Sequence, residues 1–254
     1  MYTLRLFAIL LFFLSMSVTS YSQKEKFLDI SLGTSIPLGS FASTDGVSGT
    51  VQNGYAGTGG FLALTFRKRI NTSNFGITAM AAVNMNFFRT DRIVERYKIL
   101  RPGFVWRDDR SNWLSISLLP GVYYEGRFAK KTSFIAGLHT GPALARHAGY
   151  IISGTLNENG YAGEARGELK DTWAFTVSSY AYAGFKISTG DRFDLLLKTG
   201  YNYLKPNFKD VKYFYGEWIR QPNGLSQAFN NMSKQTYTQS MHTIWIGAGL
   251  GFKI

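Results

Sequence analysis

The sequence predicts an all-β protein, an eight-stranded antiparallel up-and-down transmembrane β-barrel with short periplasmic turns and long extracellular loops. Three observations predict this fold. A pattern of alternating apolar and polar residues recurs about eight times, the connections between the repeats alternate between short and long, and the whole follows an N-terminal secretory leader.

The N-terminus has the three parts of a secretory leader. Arg5 supplies a positive charge, the segment 6–14 is unbroken apolar sequence, and Ser20 and Ser22 flank the expected cleavage site. The apolar run is shorter than the ~20 residues of a membrane-spanning helix, which disfavours a retained anchor. We therefore expect residues 1–22 to be a cleaved Sec-type signal peptide. Residues 23–254 are then a single β-barrel domain in a Gram-negative outer membrane.

The clearest strand is the last one, segment 241–254. Its apolar side chains share one face, because successive side chains of a strand point to opposite sides. They are Ile244, Ile246, Ala248, Leu250, Phe252 and Ile254. Thr243, Gly247, Gly249, Gly251 and Lys253 fall on the other face. The same alternation marks segments 27–36, 57–67, 75–88, 113–125, 134–145, 173–187 and 193–203. Each is close to the ~9–11 residues that a tilted strand needs to cross the hydrocarbon.

The connections between these segments alternate in length. Segments 68–74, 126–133 and 188–192 are short, whereas 37–56, 89–112, 146–172 and 204–240 are long. Short periplasmic turns and long extracellular loops are typical of outer-membrane barrels. The first long loop is too rich in glycine to form a compact core. The last interleaves aromatic residues with Lys and Arg, which indicates either an apolar plug at the barrel mouth or a ligand-stacking surface.

Composition narrows the function. Cysteine is absent, which excludes thiolate metal sites and cysteine catalysis, and the formal net charge is +12. The positive charge is spread over several turns and loops and matches no nucleic-acid-binding module, so nucleic acid is not an expected partner. Lipid phosphates near both rims of the barrel explain the basic excess more simply.

Several charged residues fall on the inward faces of the predicted strands, namely Asp29, Lys186, Asp194, Lys198 and Lys253. Buried charges are costly unless they are paired. We expect Asp29 and Lys253 to meet at the periplasmic end, and Asp194 to share a lumen face with Lys198. The alternative is that some of these charges lie in water at the rim. Because side chains fill an eight-stranded barrel, a general diffusion pore is not expected.

The candidate catalytic residues are three histidines. His139 is predicted on the lumen face of the fifth segment, His147 at the start of a loop and His242 at the start of the last strand. None has an adjacent serine and carboxylate pattern for nucleophilic catalysis. We therefore predict no catalytic, cofactor-binding or metal-binding residues, and no cofactor. The favoured function is non-enzymatic, either envelope-structural or surface-binding through the loops. The alternatives are a lipid A- or phospholipid-modifying barrel enzyme and a secreted, soluble, lipocalin-like ligand binder with its apolar face inside.

Three motifs indicate a family. The leader is followed by LDISLGTSIPLGSF and NGYAGTG, and the chain ends in IGAGLGFKI. The chain resembles the small outer-membrane β-barrel proteins of Bacteroidota. The resemblance implies an eight-stranded up-and-down barrel and no catalytic residues. The expected partners are outer-membrane lipids, lipopolysaccharide and the barrel-assembly machinery. Whether an extracellular ligand also binds is left open. The chain departs from the family in ending on Ile254, with Phe252 two positions earlier, where such barrels often end on an aromatic residue.

Overall fold

The computed structural model describes residues 26–44, 54–70, 72–190 and 192–254. The predicted signal peptide and most of the glycine-rich first loop lie outside the described residues.

Thirteen strands and one α-helix form the part of the chain that is described. The strands are β1 (Lys26–Leu38), β2 (Ala56–Arg69), β3 (Phe75–Phe88), β4 (Val105–Arg110), β5 (Trp113–Arg127), β6 (Thr132–His147), β7 (Tyr150–Glu158), β8 (Tyr161–Leu169), β9 (Thr172–Ser188), β10 (Phe193–Leu204), β11 (Asn207–Arg220), β12 (Ser226–Thr238) and β13 (Met241–Lys253). The helix α1 spans Asp91–Leu100, and a short 3-10 helix, Gly39–Phe41, follows β1.

Eight of the strands close into an antiparallel barrel. Their order is β1-β2-β3-β5-β6-β9-β10-β13, and β13 pairs back onto β1 with Gly33 opposite Gly247. Glycine is required at this seam, since a Cβ on Gly247 would lie 2.1 Å from the carbonyl oxygen of Leu32. The predicted eight-stranded antiparallel barrel is confirmed, and each predicted segment matches one barrel strand to within two residues at either end.

The two faces of the barrel wall differ in exposure and in composition. Large aliphatic and aromatic side chains point outward, with Leu32 62%, Leu138 63% and Phe175 73% exposed. The intervening residues are buried in the lumen. The apolar rows therefore lie on the side that the sequence predicted, and the soluble lipocalin-like alternative, which placed them inside, does not describe this wall. A continuous apolar belt on the outside of a closed barrel is typical of a membrane-spanning barrel.

The two ends of the barrel also differ as predicted. The short connections lie at one end, together with Lys26 and Ile254, and the long ones lie at the other. The long connections, however, are largely regular structure rather than loops. Their strands form a second sheet in the order β12-β11-β8-β7-β4.

This second sheet, which we call the extracellular sheet, continues one side of the barrel wall. Its order repeats that of the barrel strands β13-β10-β9-β6-β5, and each of its strands joins its barrel strand through a two-residue break. The breaks are residues 111–112, 148–149, 170–171, 205–206 and 239–240. Helix α1 packs on the face of the sheet that continues the lumen side, where Ile93, Val94 and Tyr97 meet Trp106 and Ile152.

Candidate functional site

The periplasmic end of the lumen contains a network of buried charges centred on Arg67. Its guanidinium donates from Nε to Asp29 Oδ2 at 2.8 Å and from Nη2 to Asp29 Oδ1 at 3.0 Å. It also donates from Nη1 to Glu125 Oε2 at 2.9 Å, and Lys198 Nζ donates to Asp29 Oδ2 at 3.0 Å. The side chains of Arg67 and Asp29 are both fully buried. Such a bidentate pair has the fork geometry that favours strong charge-assisted hydrogen bonds.

A second branch of the network runs along β9 and β10. Lys186 contacts Glu125 and lies 3.7 Å from Asp194 Oδ2. Ser188 Oγ donates to Asp194 Oδ1 at 2.9 Å. Arg69, which is partly exposed, also lies 3.3 Å from Glu125 Oε1 through its Nη2. Four basic and three acidic side chains, from five different strands, thus meet at this end of the lumen.

The charged side chains of the lumen are paired with one another, as predicted, but the predicted partners are wrong. Asp29 binds Arg67 and Lys198, whereas Lys253 is exposed at the rim opposite Phe27. Asp194 contacts Lys186 rather than Lys198. Lys253 is the last residue of β13, and Phe27 occupies the lumen beside it. The buried cation nearest to Asp29 is therefore Arg67, on the neighbouring strand β2.

Arg67 and Glu125 were not predicted as lumen residues. Arg67 is the last residue of the predicted segment 57–67, whereas β2 continues to Arg69. Its position was in fact available from the alternation, because Leu62, Leu64 and Phe66 face outward and place the odd-numbered residues inside. Glu125 follows Tyr123 on the inward face of β5 by the same rule.

Above the charges, three stacked rings fill the middle of the lumen. Phe61 lies 4.4 Å from Trp245 and 5.8 Å from Tyr180, measured between ring centroids, with interplanar angles of 23° and 17°. Leu119 and Leu196 pack in the same cluster. Side chains therefore fill the lumen at this height, as the sequence predicted.

A polar layer and an aromatic layer follow toward the extracellular mouth. Asn84 Nδ2 donates to Thr243 Oγ1 at 3.0 Å, and Ser178 Oγ donates to Asn202 Oδ1 at 2.7 Å. At the mouth, Trp113 packs edge-on against Phe41 at 5.3 Å. Phe208, Leu204 and Val211 belong to the same buried cluster. The start of the last long connection is thus an apolar plug at the mouth, one of the two interpretations of segment 204–240.

The three histidines occupy three separate environments. His139 faces the lumen as predicted, with Nε2 3.3 Å from Thr78 Oγ1 and its ring stacked on Tyr182. His147 does not begin a loop; it is the last residue of β6, buried in the mouth against Trp113 at 4.5 Å. His242 lies on the outward face and is hydrogen-bonded through Nδ1 to the Tyr201 hydroxyl. None of these contacts involves a carboxylate, and the described residues contain no group of three or more acidic, His or Cys side chains able to hold a metal.

The extracellular sheet and α1 are joined by a tyrosine cluster. The hydroxyls of Tyr97 and Tyr213 lie 2.9 Å apart, and the Tyr97 ring packs on Trp106 at 4.8 Å. Beside them, Arg101 Nε donates to Glu217 Oε2 at 2.9 Å, and the Tyr215 hydroxyl also donates to Glu217. Burial raises the pKa of Tyr97 above its usual value. Burial, reinforced by the Glu217 hydrogen bond, raises the pKa of Tyr215 to about 12.

The far part of this sheet exposes large apolar side chains beside basic ones. Phe229 and Met232 on β12 are 57% and 71% exposed, and Ile99 at the end of α1 is 78% exposed. Basic residues outnumber acidic ones on β11 and β12. The basic residues are Lys209, Lys212, Arg220 and Lys234, and the acidic ones are Asp210 and Glu217. An exposed surface of this composition, held by a rigid sheet, is typical of a site that binds another molecule.

No protein family model matches the chain, and no curated protein sequence matches it. Three solved structures of membrane barrels are similar in outline. Neisserial surface protein A is 11% identical, with 90% of this chain and 97% of that chain covered and a TM-score of 0.41. Ail, the attachment invasion locus protein of Yersinia pestis, is 15% identical over 91% and 100%, with a TM-score of 0.41. The outer membrane protein OprG of Pseudomonas aeruginosa is 14% identical over 91% and 96%, with a TM-score of 0.38.

TM-scores and identities of this size carry no argument about function. The class of the protein follows instead from its own strand pairing and its own surface: a closed eight-stranded β-barrel with an apolar outer belt, a filled lumen and an extracellular sheet. Within the described ranges no helix is long and apolar enough to cross a membrane.

Proposed function

We propose that this chain is an integral, non-enzymatic β-barrel protein of a Gram-negative outer membrane that binds an anionic partner at the cell surface through its extracellular sheet. The observation that carries the proposal is the combination of an outward apolar belt with a sheet that continues five wall strands beyond it. The barrel supplies a rigid base, and the sheet presents exposed basic and apolar side chains away from the lipid.

Two features support a binding role over transport. The lumen is filled at four levels, by the ion network, the stacked rings, the polar layer and the apolar plug. Helix α1 and the tyrosine cluster fix the lumen side of the extracellular sheet, so that its outer face is preorganised. Preorganisation favours binding because less side-chain and backbone freedom is lost when the partner is engaged.

Membrane insertion is tested first. The full chain expressed in a Gram-negative host is expected in the outer-membrane fraction, to require detergent for extraction, and to migrate differently on gels before and after boiling. Surface protease on intact cells is expected to cleave near Leu225, at the exposed tip between β11 and β12. Recovery of the chain in the soluble periplasmic fraction, with a boiling-independent migration, would rule out the membrane assignment.

Binding is tested with dextran sulfate as a polyanion probe and neutral dextran as the reference polymer. Lys212 and Lys234 are register partners on the outer face of β11 and β12, and both are exposed. The double change Lys212→Gln with Lys234→Gln is expected to reduce dextran sulfate binding to intact cells several-fold, because two adjacent charges are lost. The matched control is Lys130→Gln with Lys131→Gln, in a short turn at the opposite end of the barrel. Equal binding by both double variants and the parent protein would contradict the proposed surface.

A further inference from the structure

The outward wall of the barrel contains a groove that the proposed function does not use. It is lined by Leu138, Ser179, Ala181, Tyr201, Tyr203 and His242, together with parts of His139 and Tyr180, and has a volume of about 440 Å³. We call it the outer groove. It arises because the small residues of β9 lie between larger side chains on β6 and β10.

Strand register explains the shape of the groove. Ala181 lies opposite Leu138 on one side and opposite Tyr201 on the other. One step toward the extracellular end, Ser179 lies between Thr140 and Tyr203. The floor is therefore low along β9, and the phenol rings of β10 form one side of the groove.

The groove lies in the extracellular half of the apolar belt. Tyr203 is one residue from the end of β10, and it is paired with His242 at the beginning of β13. Leu197 and Phe185 continue the belt below, toward the short turns, and are both exposed. The outer groove is thus continuous with the surface that meets the outer leaflet, and it opens toward lipid rather than water.

The chemistry of the groove changes along its length. The lower part is apolar, and an unfilled space there would deprive its walls of van der Waals partners. At the upper end, the Tyr201 hydroxyl is hydrogen-bonded to His242 Nδ1, and the rings of Tyr203 and His242 lie 4.7 Å apart. Lys205 is exposed two residues beyond Tyr203, at the break that begins the extracellular sheet.

A second cation marks the same rim. Arg146, near the end of β6, lies over the ring of Trp173 at 5.7 Å. Aromatic and basic side chains at this height are positioned to contact lipid headgroups. An apolar slot that ends in phenol, imidazole and ammonium groups matches a lipid with a phosphate at its head.

We propose that the outer groove binds one acyl chain of a phosphate-bearing lipid of the outer leaflet, with the phosphate held near Tyr201, His242 and Lys205. This inference rests on the proposed membrane insertion and goes beyond it by assigning a specific lipid site. In hydrocarbon there is no hydrophobic driving force between a chain and the wall, so selectivity must come from close packing and from the polar contacts at the upper end.

The test uses the full-length barrel in nanodiscs, followed by native mass spectrometry to count retained lipid. The probes are lipid A and phosphatidylglycerol, each offered separately in a bilayer of a phosphate-free betaine lipid. Ala181→Phe fills the groove and is expected to lower the retained fraction of the bound lipid about tenfold. Ala181→Leu serves as a second, smaller filling variant in case the first does not fold. The matched control is Ala81→Phe, an outward alanine between Leu64 and Leu118 on β3.

The outcomes separate the two proposals. The site is supported if the parent protein and Ala81→Phe retain one of the two probes and the Ala181 variants lose it. The probe that is retained, lipid A or phosphatidylglycerol, then identifies the bound lipid. Equal retention by the parent protein and by both Ala181 variants, with heat-modifiable migration intact, overturns the site while leaving the barrel in the membrane. Failure of the parent protein to enter nanodiscs overturns both proposals.

Discussion

Removal of Arg67 should destabilise the barrel more than the loss of any other single charge. Arg67 is fully buried and makes hydrogen bonds to two carboxylates, those of Asp29 and Glu125. Arg67→Met leaves the fully buried Asp29 carboxylate with Lys198 as its remaining ion-pair partner, and leaves Glu125 to Lys186 and the partly exposed Arg69. Loss of one partner of a buried ion pair costs ~3–5 kcal/mol. At ~2–4 °C per kcal/mol for a chain of this size, the thermal midpoint should fall by roughly 6–20 °C.

The measurement is the temperature at which the folded band on an unboiled gel is lost, supported by urea unfolding in detergent. Lys253→Met is the matched control, since Lys253 is a basic residue at the same end of the barrel but exposed. A surface change of this kind should stay within ~0.5 kcal/mol. The double variant Arg67→Met with Glu125→Gln removes one of the two carboxylates that lose Arg67 as a partner and should recover part of the loss. Two results would contradict this reasoning. One is that Arg67→Met unfolds at the same temperature as Lys253→Met, and the other is that the double variant is no more stable than Arg67→Met alone.

Three further predictions concern the lumen and the tyrosine cluster. Gly200→Ala should destabilise the barrel by a few kcal/mol in urea unfolding, because a Cβ there would lie 2.3 Å from Trp245 Nε1; unchanged stability would contradict the tight packing of the lumen. Planar bilayers containing the protein should show no steady ohmic current, because side chains fill the lumen, and a stable open level in every insertion would refute this. The pKa of Tyr215 is raised to about 12 in the folded protein. The contribution of Tyr215 to stability is therefore complete below the usual tyrosine pKa near 10 and is lost as the pH rises through about 12. Ultraviolet titration should show this late ionisation, and Tyr215→Phe should remove it.

The barrel was predictable from sequence because the alternation of faces is imposed by the membrane. A strand such as β3 must present apolar residues to lipid at every second position, and its predicted and observed bounds are the same, Phe75–Phe88. Closure and the up-and-down order followed from the lengths of the connections. The partners of the lumen charges did not follow, because Arg67 was not assigned to the lumen and because pairs such as Lys198–Asp29 and Lys186–Glu125 reach over an intervening strand.

The extracellular sheet shows a different limit. One signal was present, since Asn159 and Gly160 join β7 to β8 with positive φ angles of 51° and 79°, the turn that Asn-Gly favours in a hairpin. Helix α1 also carries a helical spacing, with Ile93 and Tyr97 four residues apart on the packed face. Strand β12 has no such signal: it is an edge strand in contact with water, and its polar sequence shows no alternation.

The Asn159–Gly160 turn has a practical consequence. Strands β7 and β8 have nine residues each, so the turn stands up to roughly 30 Å beyond the barrel rim at ~3.3 Å per residue. The backbone reverses there without side-chain burial, whereas the base of the hairpin is anchored by β4, β11 and α1. A foreign epitope inserted between these two residues would be carried outward on a hairpin that the neighbouring strands stiffen, so the chain would serve as a display scaffold.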